Sequence, residues 1–259
     1  MIKFTTNSIF KNLLFNFFKK KIIPFQEIFP NGFYDIHSHL LPGIDDGAKS
    51  LKYSIELIQL FRSIGINNFT TSPHILGEVW PNTPEIINQK LALVRVELIK
   101  QNITDVNIDA AAEYMLDEKF MELLQEKKLL TIKDNFILVE FSYINHPESI
   151  LEIVFEIQTQ GYKPILAHPE RYNYYHSKFD MYQKLKHAGC YFQLNLLSLT
   201  NYYGSNVQKT AVRLLENNMI DFLGTDVHHK NHFNSLSKLG TKKNIDLLRP
   251  ILMNNQVLR

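Results

Sequence analysis

From Phe33 onward, short runs of apolar and β-branched residues alternate with longer stretches whose apolar positions recur at helical spacing. The short runs are Phe33–His37, Asn68–Ser72, Asn107–Ala112, Phe136–Glu140, Pro164–Ala167, Tyr191–Asn195 and Asp221–Gly224. Strands separated by helical stretches are the signature of βα units in a parallel sheet or barrel. The helical stretches have recognisable ends. One runs from about Ser50 to Ile64 and stops at Gly65, a left-handed cap. Another begins at Thr83, an N-cap followed by Pro84 in the first turn. His146-Pro147-Glu148 opens a third, and Gly161 ends it. With no Ser/Gly linker, low-complexity tract or internal repeat, a single domain over residues 31–259 is expected, preceded by an extension, 1–30.

Such units build either an open doubly wound sheet or a barrel, and the polar residues separate the two. Strand after strand ends in a histidine or a carboxylate, whereas the opposite ends carry Gly, Asn or Lys. An open sheet brings only the strands beside its switch point to a site. A barrel delivers the C-terminal end of every strand to one mouth. The expected fold class is therefore α/β, a (β/α) barrel.

The extension has a different character. It contains Lys3, Lys11, Lys19, Lys20 and Lys21 against Glu27, so although the whole chain of 259 residues carries a formal charge of only +2, the remainder is slightly acidic. Phe10, Leu13, Leu14, Phe17 and Phe18 recur among the lysines as a short amphipathic helix would place them. Lys11, Asn12 and Asn16 break the apolar run that a secretory signal needs, and no stretch is long enough for a transmembrane helix. Two readings remain, a helix packed on the domain and a weak anchor to an anionic inner membrane surface. Packing is the commoner outcome for such stripes. The small net charge excludes a dedicated nucleic-acid binder.

Candidate chemistry lies at the strand ends. Asp35-Ile36-His37-Ser38-His39 closes the first run with two histidines at i and i+2, which on a strand share one face and can chelate one metal. Asp46 follows in a turn rich in Gly and Asp. His74, Glu113, Glu140 and His168 come next, then Asp226 and His228. Carboxylates and imidazoles gathered at one mouth require a compensating charge, and divalent ions supply it. Mixed imidazole and carboxylate without thiolate suits Mn, Fe, Zn or Co rather than a calcium cage. So many ligands exceed one tetrahedral ion, which implies a cluster with bridging carboxylates that acidifies a water for in-line attack. The lone cysteine, Cys190, excludes an internal disulfide and a Cys-based zinc site, and its setting before a strand is poor for an activated thiolate.

The segments DIHSHLLPGIDDGA (35–48), TSPH (71–74), AAEY (111–114), LVEF (138–141), LAHPERY (166–172) and GTDVHH (224–229) resemble, in order, those of the polymerase and histidinol phosphatase (PHP) family. In detail they resemble its bacterial protein-tyrosine phosphatases, which act beside capsule and exopolysaccharide tyrosine kinases. DIHSHLLPGIDDG and LAHPERY discriminate, because other branches keep the bare HxH and differ around it. The resemblance implies a distorted (β/α)7, TIM-like barrel in one domain. It also implies about three divalent ions, Mn foremost with Fe, Zn, Co or Mg as alternatives, and attack on phosphotyrosine by a metal-bound hydroxide with no covalent enzyme intermediate. His37, His39, Asp46, His74, Glu113, Glu140, His168, Asp226 and His228 match the family's metal ligands, with Glu113 and Glu140 as bridging acids. Arg171 matches its phosphate-binding arginine, and Asp226 and His228 join Arg171 in the catalytic group. A guanidinium fork suits this task, since it can hold two phosphoryl oxygens.

One departure stands out. Relatives often carry a second arginine several residues after the final DxH, but here the run is Asp226-Val227-His228-His229-Lys230-Asn231-His232. His229, Lys230 and His232 are candidates for its role in binding phosphate or protonating the leaving phenolate. Asn195 stands near the mouth, and Tyr202 and Tyr203 are candidates for aromatic walls, a role that packing alone explains equally well. The expected function is thus a cytoplasmic, metal-dependent protein-tyrosine phosphatase acting on a kinase tail of polysaccharide synthesis or export, with peripheral membrane contact through the extension as an option. The alternatives are a small-molecule phosphatase of the histidinol-phosphate type, a PHP nuclease, which the acidic core disfavours, and a non-catalytic kinase-binding scaffold, which the complete ligand set disfavours.

Overall fold

The computed structural model describes residues 22–259. The amphipathic stripe of Phe10 to Phe18 and most of the expected extension lie outside the described residues. Among the described residues there are nine strands and eight α-helices, with most strands followed by a helix. The strands are β1 (Tyr34–Asp35), β2 (Asn68–Thr71), β3 (His74–Ile75), β4 (Asn107–Ala110), β5 (Glu113–Met115), β6 (Phe136–Glu140), β7 (Lys163–Ala167), β8 (Tyr191–Asn195) and β9 (Phe222–Gly224). Every ladder between them is parallel. The helices are α1 (Leu51–Arg62), α2 (Pro84–Lys100), α3 (Glu118–Gln125), α4 (Ile150–Thr159), α5 (Phe179–His187), α6 (Ser205–Glu216), α7 (Lys230–Leu236) and α8 (Lys242–Leu248).

Helix starts follow the side-chain chemistry of the sequence. Ser50 accepts a hydrogen bond from the Tyr53 amide, and Thr83 accepts one from Ile86 ahead of Pro84, satisfying amides that the first turn leaves unpaired. α4 begins later than His146-Pro147-Glu148 suggested, at Ile150 behind Ser149. Two expected strands, Asn68–Ser72 and Asn107–Ala112, are each followed by a second short strand that the sequence pattern did not include. Proline has no amide to give a ladder, and Pro73 separates β2 from β3; Ala111-Ala112, which the sequence placed in the third strand, instead separate β4 from β5. His74 and Glu113 therefore begin strands rather than merely following them, and they lie side by side in the β3–β5 register.

The ladders form two sheets, β1-β2-β4 and β3-β5-β6-β7-β8-β9, rather than one closed ring. A parallel bridge between Ser38 and Val227 ties the end of β1 to that of β9. In it Asp226 N donates to His37 O at 2.8 Å and His39 N to Val227 O at 3.0 Å. Alternation along the strands sorts the side chains. Ile137 and Val139 of β6 and Leu166 of β7 join the large core beneath the helices, whereas Leu138, Ile165 and Ala167 join a small second core with Ile36, Ala111, Phe222 and Leu258. Glu140 shares the inner face of Leu138, so the apolar plug ends where the acidic and imidazole groups begin. No helix among the described residues is long and apolar enough to cross a membrane.

Candidate metal centre

Histidines from four places along the chain, His37 with His39, His74, His168 and His228, frame the centre. His37 and His39 follow β1, and their Nε2 atoms approach to 3.3 Å. Each ring is oriented from behind: His37 Nδ1 lies 2.7 Å from Gln193 Oε1, and His39 Nδ1 2.8 Å from Asp45 Oδ2. An Nδ1–H donated in this way leaves the Nε2 lone pair facing the centre. Asp45 is itself fixed by the Gly47 amide, and a Cβ at Gly47 would overlap the His39 backbone and Cβ, so only glycine lets this turn close on His39.

Glu113 occupies the middle. Its Oε2 lies 3.2 Å from His37 Nε2, 3.5 Å from His39 Nε2 and 3.1 Å from His74 Nδ1, while Oε1 lies 2.9 Å from His168 Nε2. Asp226 Oδ1 is 3.3 Å from both His37 and His39 Nε2. Asp46 Oδ1 is 3.2 Å from His228 Nε2 and 3.6 Å from His74 Nε2, and Glu140 Oε1 is 2.9 Å from His74 Nδ1. Four donor groups result: His39, Asp46, His74 and His228; His37, His168 and Asp226; His37, His39 and Glu113; His74, Glu113 and Glu140. All nine ligands expected from the sequence fall into these groups.

The donor set fits divalent cations on structural grounds. Despite these short distances, Glu113 Oε2 and His74 Nδ1 are buried with no partner in hydrogen-bonding geometry, an arrangement costly for polar atoms and one that a cation between them satisfies. The electrostatics agree. Burial opposes charge on His37, but Glu113 and Asp226 outweigh it and push the imidazole up to about 9. His39 is likewise raised, against burial, chiefly by Asp45. Burial would raise Glu113 and Asp226, yet the surrounding imidazoles, His37 foremost, hold both carboxyls well below the ordinary range. Such a cluster is negative and basic until cations or protons neutralise it. His168 and Asp226 also adopt left-handed backbone, with φ of 36° and 49°, strain of the kind that concentrates at functional sites.

Arg171 stands over the same cavity. Its guanidinium lies between the Tyr143 and Tyr203 rings, 4.7 and 4.2 Å from their centres, and Nη1 donates to Asp226 Oδ2 at 2.9 Å. The cavity holds about 420 Å³, and Trp80, stacked 4.8 Å from His74, forms part of its wall.

Residues 33–255 match the family described as Capsular polysaccharide synthesis, CpsB/CapC. The chain belongs to the CpsB/CapC family. It is 30% identical over 196 residues to the CapC protein of Staphylococcus aureus, covering 75% of this chain and 76% of that one. It is 29% identical to YwqE of Bacillus subtilis, named a tyrosine-protein phosphatase, over 75% of this chain and 77% of that one. A solved chain from work on YwqE of Bacillus subtilis and CpsB of Streptococcus pneumoniae, described there as metal-dependent tyrosine phosphatases, superposes with a TM-score of 0.73 at 26% identity. That match covers 85% of this chain and 94% of the solved one.

In this CpsB/CapC member the expected substrate residues fall in different places. His229 and His232 line the cavity with Arg171. Lys230 does not: its ammonium lies 2.6 Å from Glu56 Oε2 and packs over Tyr53. Asn195 is fully buried behind the site, donating to Asp226 Oδ2 at 2.6 Å and to Tyr203 Oη at 3.2 Å. Burial and the neighbouring imidazoles His229 and His228 hold His232 down to about 4, so it is neutral at pH 7 and a poor proton donor to a leaving phenolate. Burial pushes the Cys190 thiol up to about 12, in keeping with a cysteine that is no nucleophile. Sequence reasoning missed Asp45, Gln193, Tyr143, Trp80 and Glu170. Of these only Asp45 and Glu170 sat inside quoted motifs, where their acidity was a usable signal. Glu170 is fully buried, with Oε1 accepting from Asn195 N at 3.0 Å and Ser198 Oγ at 2.7 Å.

Proposed function

We propose that the chain is a metal-dependent protein-tyrosine phosphatase whose substrate is a phosphotyrosine segment of a tyrosine kinase in polysaccharide synthesis or export. The observation that carries this reading is the Arg171 fork held over the same cavity into which nine metal-ligating side chains converge. These side chains would hold divalent ions, about three with manganese foremost, and such ions would supply positive charge for the phosphoryl oxygens and lower the pKa of a nucleophilic water. Membership of both Glu113 and His74 in two donor groups supports ions that share ligands.

The chain's own residues do the rest. Asp226 and the two tyrosine rings fix the plane of the guanidinium, leaving Arg171 Nε and Nη2 to grip two phosphoryl oxygens as charge spreads over them. Asn195 fixes Asp226 and Tyr203 together. Trp80, Met115 and Tyr143 give the cavity apolar walls suited to a phenyl ring, and His229 and His232 offer it neutral hydrogen-bonding groups in place of a second arginine. The fold reading that accompanies this function is a distorted (β/α)7 barrel over residues 31–259, supported by the Ser38–Val227 bridge between the two sheets.

The test is phosphate release from phosphotyrosine peptides by chelated enzyme before and after reloading with Mn. Turnover that returns with metal supports the reading; a metal-loaded enzyme that releases no phosphate overturns it. Preference for an alkyl phosphate over an aryl one would favour the small-molecule alternative.

A further inference from the structure

Five imidazoles meet at the metal centre, and four of them have an oxygen set against a ring nitrogen that fixes the ring. Gln193 does this for His37 and Asp45 for His39. The Asp226 carbonyl oxygen lies 2.9 Å from His228 Nδ1, and the Tyr143 hydroxyl lies 3.3 Å from the His168 ring nitrogens. His74 is different. Its Nδ1 faces Glu113 and Glu140 and its Nε2 faces Asp46, all of them members of the donor groups, so neither nitrogen is left for an orienting partner. Yet His74 belongs to two of the four groups, and a metal ligand free to turn about its Cβ–Cγ bond loses its aim.

What lies flat against His74 is an indole. The Trp80 ring stacks on it with 4.8 Å between centres and 14° between planes. The His39 ring is also near, at 4.5 Å, but is tilted by 40°. We propose that Trp80 is the positioning residue of His74, its face setting the plane of the imidazole and thereby the binding of the ions that share this ligand. An imidazole that gives its lone pair to a cation becomes electron-poor, and the negative face of an indole then attracts it more strongly. Stack and metal strengthen each other. This role rests on the metal centre proposed above, whatever phosphate ester is hydrolysed there.

The loop after β3 is built to keep Trp80 in place. Leu76 and Trp80 pair as an antiparallel bridge, with Leu76 N donating to Trp80 O at 3.2 Å and Trp80 N to Leu76 O at 3.0 Å. Gly77 supplies the left-handed backbone, φ 39°, on which this tight turn depends. Asn82, buried, donates from Nδ2 to His74 O at 2.8 Å and to Ile44 O at 2.9 Å. One amide thus fastens the loop both to the strand of His74 and to the turn that carries Asp45 and Asp46. The Trp80 backbone cannot leave His74 without breaking these bonds.

The test is calorimetric titration of manganese into the chelated full-length chain and its variants, with bound metal counted at saturation. Trp80→Leu fills the space but offers no π face, and should weaken the ions that share His74 by about tenfold or more. The group of His37, His168 and Asp226 lacks His74, so an ion there should keep its affinity. Trp80→Phe, which restores an aromatic face, should bind within about threefold of the unaltered chain. Trp80 is the only tryptophan in the sequence, so the emission of the unaltered chain should change as the ions sharing His74 fill, a signal that a merely structural wall would not give. Binding by Trp80→Leu within about threefold of the unaltered chain, a Trp80→Phe variant as weak as Trp80→Leu, an equal loss at every ion, or emission that stays constant while manganese binds overturns the proposal. An unaltered chain that takes up no manganese overturns the metal centre itself, so the two failures are told apart.

Discussion

Replacing Arg171 isolates the part of the site that chemistry assigns to phosphate rather than to metal. The guanidinium is held on three sides, by Asp226 at 2.9 Å and by the Tyr143 and Tyr203 rings, so it meets the phosphoryl group already oriented. Two charge-assisted hydrogen bonds at about 1.5–3 kcal/mol each, discounted for non-additivity, put the loss in Arg171→Ala at about 3 kcal/mol of transition-state stabilisation. That corresponds to a fall in kcat/KM of roughly 150-fold. Arg171→Lys keeps a point charge but neither the fork nor the planar stacking between the tyrosines, and should fall about tenfold. The assay is steady-state phosphate release from a phosphotyrosine peptide with saturating Mn, with metal content measured on each variant because Asp226 loses a partner. Arg171→Ala within about threefold of the unaltered enzyme at full metal content would refute the assignment.

Three further outcomes follow from the geometry. Burial raises Glu170 to about 7. A carboxyl raised in the fold stabilises it below its ordinary value, and this contribution declines as pH rises above that value and is gone past 7, a loss of about 3 kcal/mol. Glu170→Gln should therefore flatten the fall in the stability of metal-free protein between pH 5 and 7, while Glu170→Ala, which strands the Asn195 amide and Ser198 hydroxyl, should destabilise by about 1–3 kcal/mol at all pH values; denaturant melts at each pH decide, and a Gln variant with the unaltered slope refutes the reasoning. His37, raised to about 9, carries a proton at neutral pH before metal binds, so metal affinity should rise with pH by up to about tenfold per unit for each proton displaced, and calorimetric affinities that are flat between pH 6.5 and 8 would contradict it. Lys230→Ala should change kcat/KM by less than about twofold, since its ammonium is engaged by Glu56 away from the cavity; a tenfold loss in the same peptide assay would return Lys230 to the substrate site.

Much of this protein is legible without coordinates, for an identifiable reason. Strand and helix periods are local properties, so the βα alternation, the caps at Ser50 and Thr83 and the placing of ligands at strand ends could all be read from residue order. Ligand identity was legible because few arrangements of buried His, Asp and Glu make sense without a cation. The split at Pro73 was within reach of the same reasoning, since proline cannot serve the ladder; the break at Ala111-Ala112 carried no such mark.

What tertiary structure alone decided is where each polar side chain turns. Lys230 and His229 are neighbours in sequence, yet one reaches Glu56 and the other lines the cavity. Asn195 ends a strand like the ligands do, but Asp226 and Tyr203 claim its amide from behind. Tyr143, from the loop after β6, and Tyr203, from beyond β8, become a single clamp only when the strands bring them to opposite faces of Arg171. The sequence by itself determined which chemical groups arrive at the mouth, because strand periodicity and residue type are local. Which of them face the substrate depends on partners far along the chain, whose proximity is settled only by the packing of the sheets and the helices around them.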